Sequence, residues 1–125
     1  MTTKTSPDLR RRALGAYGET LAERELTGQG MVVLDRNWRC PAGEIDLVLR
    51  DGDTLVVCEV KTRSSGACGQ PLEAVTERKV ARLRRLAASW LAAHPVRPVD
   101  VRLDMVGVLR PRRGVSIVEH VRGIG

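Results

Sequence analysis

Two short runs carry most of the chemistry in this chain: Gly43-Glu44-Ile45-Asp46-Leu47-Val48 and Val57-Cys58-Glu59-Val60-Lys61. Both read as β-strand, and a strand presents alternate side chains to one face. Glu44 and Asp46 therefore point one way, and Ile45, Leu47 and Leu49 the other. Glu59 and Lys61 share a face opposite Val56, Cys58 and Val60. A hairpin turning at Asp51-Gly52 pairs Arg50 with Asp53 and Glu44 with Glu59, which leaves Asp46 one diagonal step from Glu59. Carboxylates that close on a half-buried sheet repel one another and are tolerable mainly with a cation between them. The spacing points to a divalent-metal site with a lysine beside it.

Such a site is suited to phosphodiester hydrolysis, in which a metal polarises the phosphoryl oxygen and activates water. Hard Mg²⁺ takes oxygen ligands, usually one or two carboxylates plus waters and phosphate oxygens. Asp46 and Glu59 supply such ligands, and the main-chain carbonyl of Val60 lies between them. Lys61 projects into the same pocket, where an ammonium orients the attacking water or offsets developing charge. Plainer readings exist. Asp46 could be an exposed carboxylate paired with Arg39 or Arg63, and Glu59 with Lys61 a surface ion pair worth little. Asp is depleted in strands, and the joint arrangement favours the metal. Glu44 stays open between a water-mediated metal contact, a bond to Lys61 and a role in the Gly43 turn.

The elements that must position these groups follow from periodicity. Residues 1–8 read as a disordered basic-polar lead, and residues 9–125 as a single domain. Leu9 to Thr27 is helical, with Leu14, Tyr17, Gly18, Leu21, Ala22 and Leu26 as an apolar stripe. Gly28-Gln29-Gly30 stops that helix. Met31 to Leu34 forms a first strand and Asn37 to Gly43 a connection. Residues 44–50 and 54–62 form the hairpin, and Arg63 to Gln70 a loop. Thr76 caps a second helix over 77–93, buried along Val80, Leu83, Leu86, Ala87 and Trp90 and ended by His94-Pro95. Val99 to Leu109 and Val115 to Val121 are the last strands. The order α-β-β-β-α-β-β predicts an α/β fold with a mixed sheet of about five strands and flanking helices. Because Val48, Leu55 and Val57 share the acidic face, the site is expected in a recess under a helix.

Charge points to the substrate class. The chain carries 21 Lys and Arg against 15 Asp and Glu, a net +6, which suits a polyanion such as nucleic acid. Its aromatic residues are Tyr17, Trp38 and Trp90, too few for sequential base stacking, so backbone and shape contacts to a duplex or branched structure are expected. On the second helix Arg78, Arg82 and Arg85 line one side, flanked by Lys79 and Arg84, and offer phosphate contacts alongside Arg63; a solvated cationic face is the competing reading. Three cysteines without a C-x-x-C pair indicate neither a disulfide framework nor a zinc site and fit a reducing, cytoplasmic setting. There is no apolar run of about 20 residues, so no membrane span is expected. His94 and His120 are read as non-catalytic, His120 for want of an acidic partner in register.

Asp46 followed after twelve residues by Glu59-Val60-Lys61 resembles the PD-(D/E)XK nuclease motif, shared by type II restriction enzymes and archaeal Holliday-junction resolvases. More closely, the chain resembles the YraN-like family of predicted endonucleases. The segments that carry the likeness are Gly18-Glu19-x-x-Ala22, Arg36-Asn37-Trp38-Arg39, Gly43-Glu44-Ile45-Asp46-Leu47, Glu59-Val60-Lys61-Thr62-Arg63, Lys79 and Arg102-Leu103-Asp104-Met105-Val106. Ile45 stands where the motif's proline would be. The resemblance implies a restriction-endonuclease-like fold, a Mg²⁺ or Mn²⁺ requirement and a nucleic-acid substrate, DNA by preference and branched or structured DNA among the candidates. It also draws Glu19 into the metal site, because a first-helix glutamate joins that site in the resolvases. Glu19 borders the buried stripe, three residues before Ala22. The competing expectation is a non-catalytic module that binds structured nucleic acid on the same fold. Symmetric cutting of two strands would favour a homodimer.

Overall fold

The computed structural model describes residues 7–64 and 75–125, in the order α1 (Pro7–Gly28), β1 (Val32–Cys40), β2 (Gly43–Asp51), β3 (Thr54–Ser64), α2 (Glu77–Ala93), β4 (Asp100–Arg110) and β5 (Ile117–Val121). The expected α/β class and element order hold. Of the expected lead, residues 1–6 lie outside the described residues, while Pro7 and Asp8 open α1. Most of the expected 63–70 loop and Cys68 also lie outside them, but Arg63 and Ser64 belong to β3.

The five strands form one sheet in the order β1-β2-β3-β4-β5. All neighbours are antiparallel except β3 and β4. A parallel pair needs a crossover, and α2 lies in that connection. One sheet face packs on α1 through Ala22, Leu26, Leu47, Leu49, Val56, Cys58, Val106 and Val108. The other packs on α2 through Ile45, Val48, Leu55, Val57, Leu83, Leu86, Trp90 and Leu103. Gly18, Ala22 and Leu26 recur every four residues, so they fall on one side of α1 and are its buried positions. Gly18 permits close approach: a Cβ there would collide with Thr62 Oγ1 of β3.

The second helix starts as its cap residue dictates, with Thr76 accepting from the Lys79 amide at 3.2 Å. At its other end His94 is the cap residue expected of it: its backbone N–H donates to Leu91, and its ring stacks on Trp90 at 4.0 Å. The Trp90 indole donates to Asp35 of β1 at 2.9 Å, fastening helix to sheet.

Three expectations about the strands are corrected. First, β1 runs through Cys40 rather than ending at Leu34; the Asn37–Cys40 stretch is not a connection but the half of the strand that pairs with Gly43–Leu47. Second, the hairpin turns at Gly52-Asp53, because Asp51 pairs with Thr54 and Arg50 with Leu55. Gly52 adopts φ +60, favourable for glycine at the first central position of a two-residue turn. Third, Ile45 does not share a face with Leu47 and Leu49; it packs under α2 while they pack under α1. The face changes at the rung where Asn37 lies across from Asp46. Arg36 pairs with Leu47 and Trp38 with Ile45, while Asn37 between them sits at φ +48, a left-handed conformation that asparagine tolerates better than most residues.

Candidate active site

That irregular rung builds the site. The β2–β3 ladder runs as far as Leu47 with Cys58. Beyond it the Asp46 carboxylate takes the place of a backbone partner, its Oδ2 accepting from the Val60 amide at 2.8 Å. A strand residue turns its N–H and C=O to the same neighbour, so the Val60 carbonyl looks toward the same opening. The recess under α1 is about 280 Å³ and is lined by Asp46, Glu19, Thr20, Glu23, Arg36 and Asn37. In the amide orientation that satisfies both acids, the Asn37 nitrogen donates to Glu19 Oε1 at 2.5 Å and to Glu44 Oε1 at 3.2 Å. Sequence reasoning missed Asn37 as the bridge between these acids. The available signal was an asparagine, a residue that both adopts the left-handed turn and donates two hydrogens, inside a polar stretch facing the acidic run.

Electrostatics mark Asp46 as the centre. Burial, opposed by the Val60 hydrogen bond and reinforced by the charges of Glu19, Glu59 and Glu44, pushes its pKa up to about 7 from 3.8. Glu19 is likewise raised, first by burial and then by Glu44, with the Asn37 hydrogen bond acting against both. So Asp46 and Glu19 line one recess, with Glu44 and Glu59 near enough to bear on Asp46.

Glu59 faces the other way. It follows Val57 on the α2 side, where Arg82 donates to its Oε1 at 2.7 Å. Its Oε2 is buried with no hydrogen-bond partner, a costly arrangement for a carboxylate that a cation would relieve. Lys61 is exposed and, among the described residues, makes no ion pair. Of the α2 basic residues, Arg82 is committed to Glu59, Lys79 is half-buried, and Arg78 and Arg85 stay exposed. Arg63 is half-buried in β3, its Nε unpartnered. Glu44 also contacts Arg39, at 3.5 Å.

Among the described residues, no three His, Cys, Asp or Glu side chains lie close enough to hold an ion by themselves. Mg²⁺ is ordinarily held by one or two carboxylates plus waters and substrate phosphates. The all-oxygen set of Asp46, Glu59 Oε2 and the Val60 carbonyl suits that mode by donor type, with Glu19 above it, provided the remaining ligands come from outside the protein.

A second polar cluster surrounds Asp104, a strand carboxylate of the kind that pairs with an arginine to support a sheet. Asp104, fully buried, accepts from Arg102 Nε at 2.8 Å, from His120 Nε2 at 2.8 Å and from the Gly123 amide at 3.1 Å. His120 does have an acidic partner, then, two positions along the neighbouring strand from its register mate Val106. Arg102 continues to Asp51 at 3.0 Å. These contacts, with Arg102 first among them, hold the Asp104 carboxyl below its usual range against the effect of burial. They tie β2, β4 and the C-terminal tail together.

A helix-flanked mixed sheet with a carboxylate-lined recess at a broken rung defines the class of α/β domain. The chain belongs to the uncharacterised protein family UPF0102, whose model matches residues 18–108, in agreement with the YraN-like resemblance. It is 70% identical over 115 residues to a UPF0102 protein of a Nocardioides species, covering 92% of this chain and 93% of that one. UPF0102 proteins of Kineococcus radiotolerans and Beutenbergia cavernae are 64% and 62% identical, over 90% of this chain and 93% and 96% of theirs. No described helix is long and apolar enough to cross a membrane.

Proposed function

We propose that this chain is a divalent-metal-dependent endonuclease of the PD-(D/E)XK type that hydrolyses phosphodiester bonds in DNA, branched or structured DNA included. The observation that carries this reading is Asp46: a carboxylate lodged at a broken rung, bonded to the Val60 amide, with its proton affinity raised by burial and by three other acids. A fold with no use for a cation gains nothing from that crowding.

In this reading Asp46 and the Val60 carbonyl would hold Mg²⁺ or Mn²⁺ from the α1 side, and Glu59 would join them through its unpartnered oxygen once its side chain turns from the α2 side; the bound ion would polarise the scissile phosphate and acidify water. Val60 fixes the Asp46 carboxylate through its amide, so a ligand oxygen is preset rather than recruited. Glu19, held by Asn37, closes the recess from above. Lys61, exposed and without an ionic partner among the described residues, is available to a phosphate oxygen or to the attacking water. Arg82 holds one Glu59 oxygen and leaves the other for the cation.

The second reading, a non-catalytic nucleic-acid-binding module, is favoured by one observation: Glu59 is already neutralised by Arg82 on the α2 side. Calorimetric titration with Mn²⁺ separates the two. Heat of metal uptake that disappears in Asp46→Asn supports the nuclease. Tight nucleic-acid binding with no metal uptake favours the module.

A further inference from the structure

At the end of β3 a cleft of about 550 Å³ opens between α1 and the β4–β5 turn. Four arginines line it: Arg10 and Arg11 from α1, and Arg110 and Arg112 from the end of β4 and the turn; Ala13, Leu14, Ser64 and Pro111 complete the described wall. Among the described residues, no carboxylate lines the cleft and none of the four arginines pairs with an acid. Some arginines outside the cleft do pair with acids. Arg36, Arg39, Arg82, Arg102 and Arg122 all lie against carboxylates. Arg110 is positioned by other means: its guanidinium lies over the Tyr17 ring, 4.9 Å from the centroid. The Tyr17 hydroxyl in turn shares a 2.6 Å hydrogen bond with Ser116. Stacking engages the face of a guanidinium and leaves its N–H edge for an oxyanion.

We propose that this cleft is where the chain grips a nucleic-acid phosphate backbone, a duplex seated so that its scissile bond reaches Asp46 and Lys61. The proposal rests on the hydrolytic reading given above and adds the place of substrate contact. Position supports it. Ser64 is three residues beyond Lys61 on one strand, roughly 10 Å at 3.3 Å per residue. That distance is about three base-pair steps of a duplex. Chemistry supports it as well. Guanidinium pairs bind phosphate bidentately, and a concave wall with apolar side chains only at Ala13, Leu14 and Pro111 suits a backbone better than a lipid surface.

The test uses the full chain with Asp46→Asn, so that nothing is cut, and a labelled 20-base-pair duplex followed by fluorescence anisotropy across 50–200 mM salt. Each lost phosphate contact should make the slope of log K against log salt less negative by about 0.9. Arg110→Gln/Arg112→Gln should therefore shift the slope by about 1.8 and weaken binding at least tenfold at 100 mM salt. Arg24→Gln/Arg97→Gln, which removes the same charge from exposed positions outside the cleft, should move the slope by less than half as much. Arg11→Gln/Arg112→Gln, which spares the Tyr17 stack, guards against misfolding and should reproduce the loss. An unchanged slope in both cleft variants overturns the proposal, as does binding to anionic vesicles but not to the duplex. The hydrolytic reading fails separately. If the cleft variants lose binding while the Asp46→Asn chain still cleaves with Mn²⁺, the grip stands and the assigned centre does not. If cleavage by the wild-type chain needs Asp46 and the cleft variants bind normally, the centre stands and the grip lies elsewhere.

Discussion

Asp46→Asn should make the metal-free protein more stable at pH 8, and progressively less so toward acid. Asparagine keeps the shape and an oxygen for the Val60 amide while removing the charge. The Asp46 carboxyl titrates near 7 in the folded chain and near 3.8 when unfolded. The folded state thus binds the extra proton between those values, and stability falls as pH rises through that window. One unit is worth about 1.36 kcal/mol, so the full penalty above pH 7 is about 4 kcal/mol and that at pH 5 about 1.6 kcal/mol. The stabilising effect of Asp46→Asn should therefore grow by about 2.5 kcal/mol between pH 5 and pH 8. Urea unfolding in EDTA at the two pH values measures it. A cation held by Asp46 works against this gain: at 100 times its Kd it adds about 2.7 kcal/mol to the wild type and nothing to the variant, which cuts the advantage of Asp46→Asn at pH 8 to about 1–2 kcal/mol. An Asn variant destabilised equally at both pH values, with or without Mn²⁺, would show that Asp46 is an ordinary structural acceptor and refute the reasoning.

Other expectations follow from particular contacts. Gly18→Ala should cost about 1–3 kcal/mol in denaturant unfolding, because the new methyl meets Thr62; a gain of stability from better helix propensity would contradict the packing described. Lys61→Ala should leave unfolding within about 0.5 kcal/mol of wild type, as expected of an exposed side chain, while lowering cleavage at least 100-fold in a gel assay. Asp104→Ala should cost about 3–5 kcal/mol, since it strands Arg102 and His120. The Asp104 contribution should persist at neutral pH and fade only as pH falls below the ordinary carboxylate range, because its folded pKa is lowered; thermal melts at pH 7 and pH 3 check the direction.

Much of this architecture is legible in the chain. The second helix was readable to the residue, because Thr76, the apolar spacing from Leu83 to Trp90 and His94-Pro95 act locally. The acidic runs were readable as adjoining strands. What escaped was decided between segments. The second half of β1 is Asp35-Arg36-Asn37-Trp38-Arg39-Cys40, polar and without a clean alternation, because it is a sheet-edge strand that reverses face midway. Its strand character comes from pairing with β2, not from propensity. The hairpin register missed because Asp51-Gly52 and Gly52-Asp53 are both acceptable turn pairs, and the sequence does not choose between them. The reversal at Asn37 opposite Asp46 placed Ile45 on the unexpected face, and with it drew Asp46 into the α1 recess away from the face of Glu59. The Asp104–His120 contact joins strands across a diagonal that no local spacing encodes. At the candidate site, the acids were visible as types and spacing, whereas Asn37 and Arg82, the groups that hold Glu19, Glu44 and Glu59 in place, became visible only through the fold.

The most direct measurement is cleavage of a panel of labelled duplex, flap and four-way-junction DNAs and matching RNAs by the wild-type chain and by Asp46→Asn, with Mn²⁺, with Mg²⁺ and in EDTA. Metal-dependent cutting of at least one DNA is expected from the wild type, and none from the variant under any condition. Cutting that persists in Asp46→Asn at the wild-type rate, or no cutting of any substrate by a wild-type chain that also takes up no metal, would contradict this expectation.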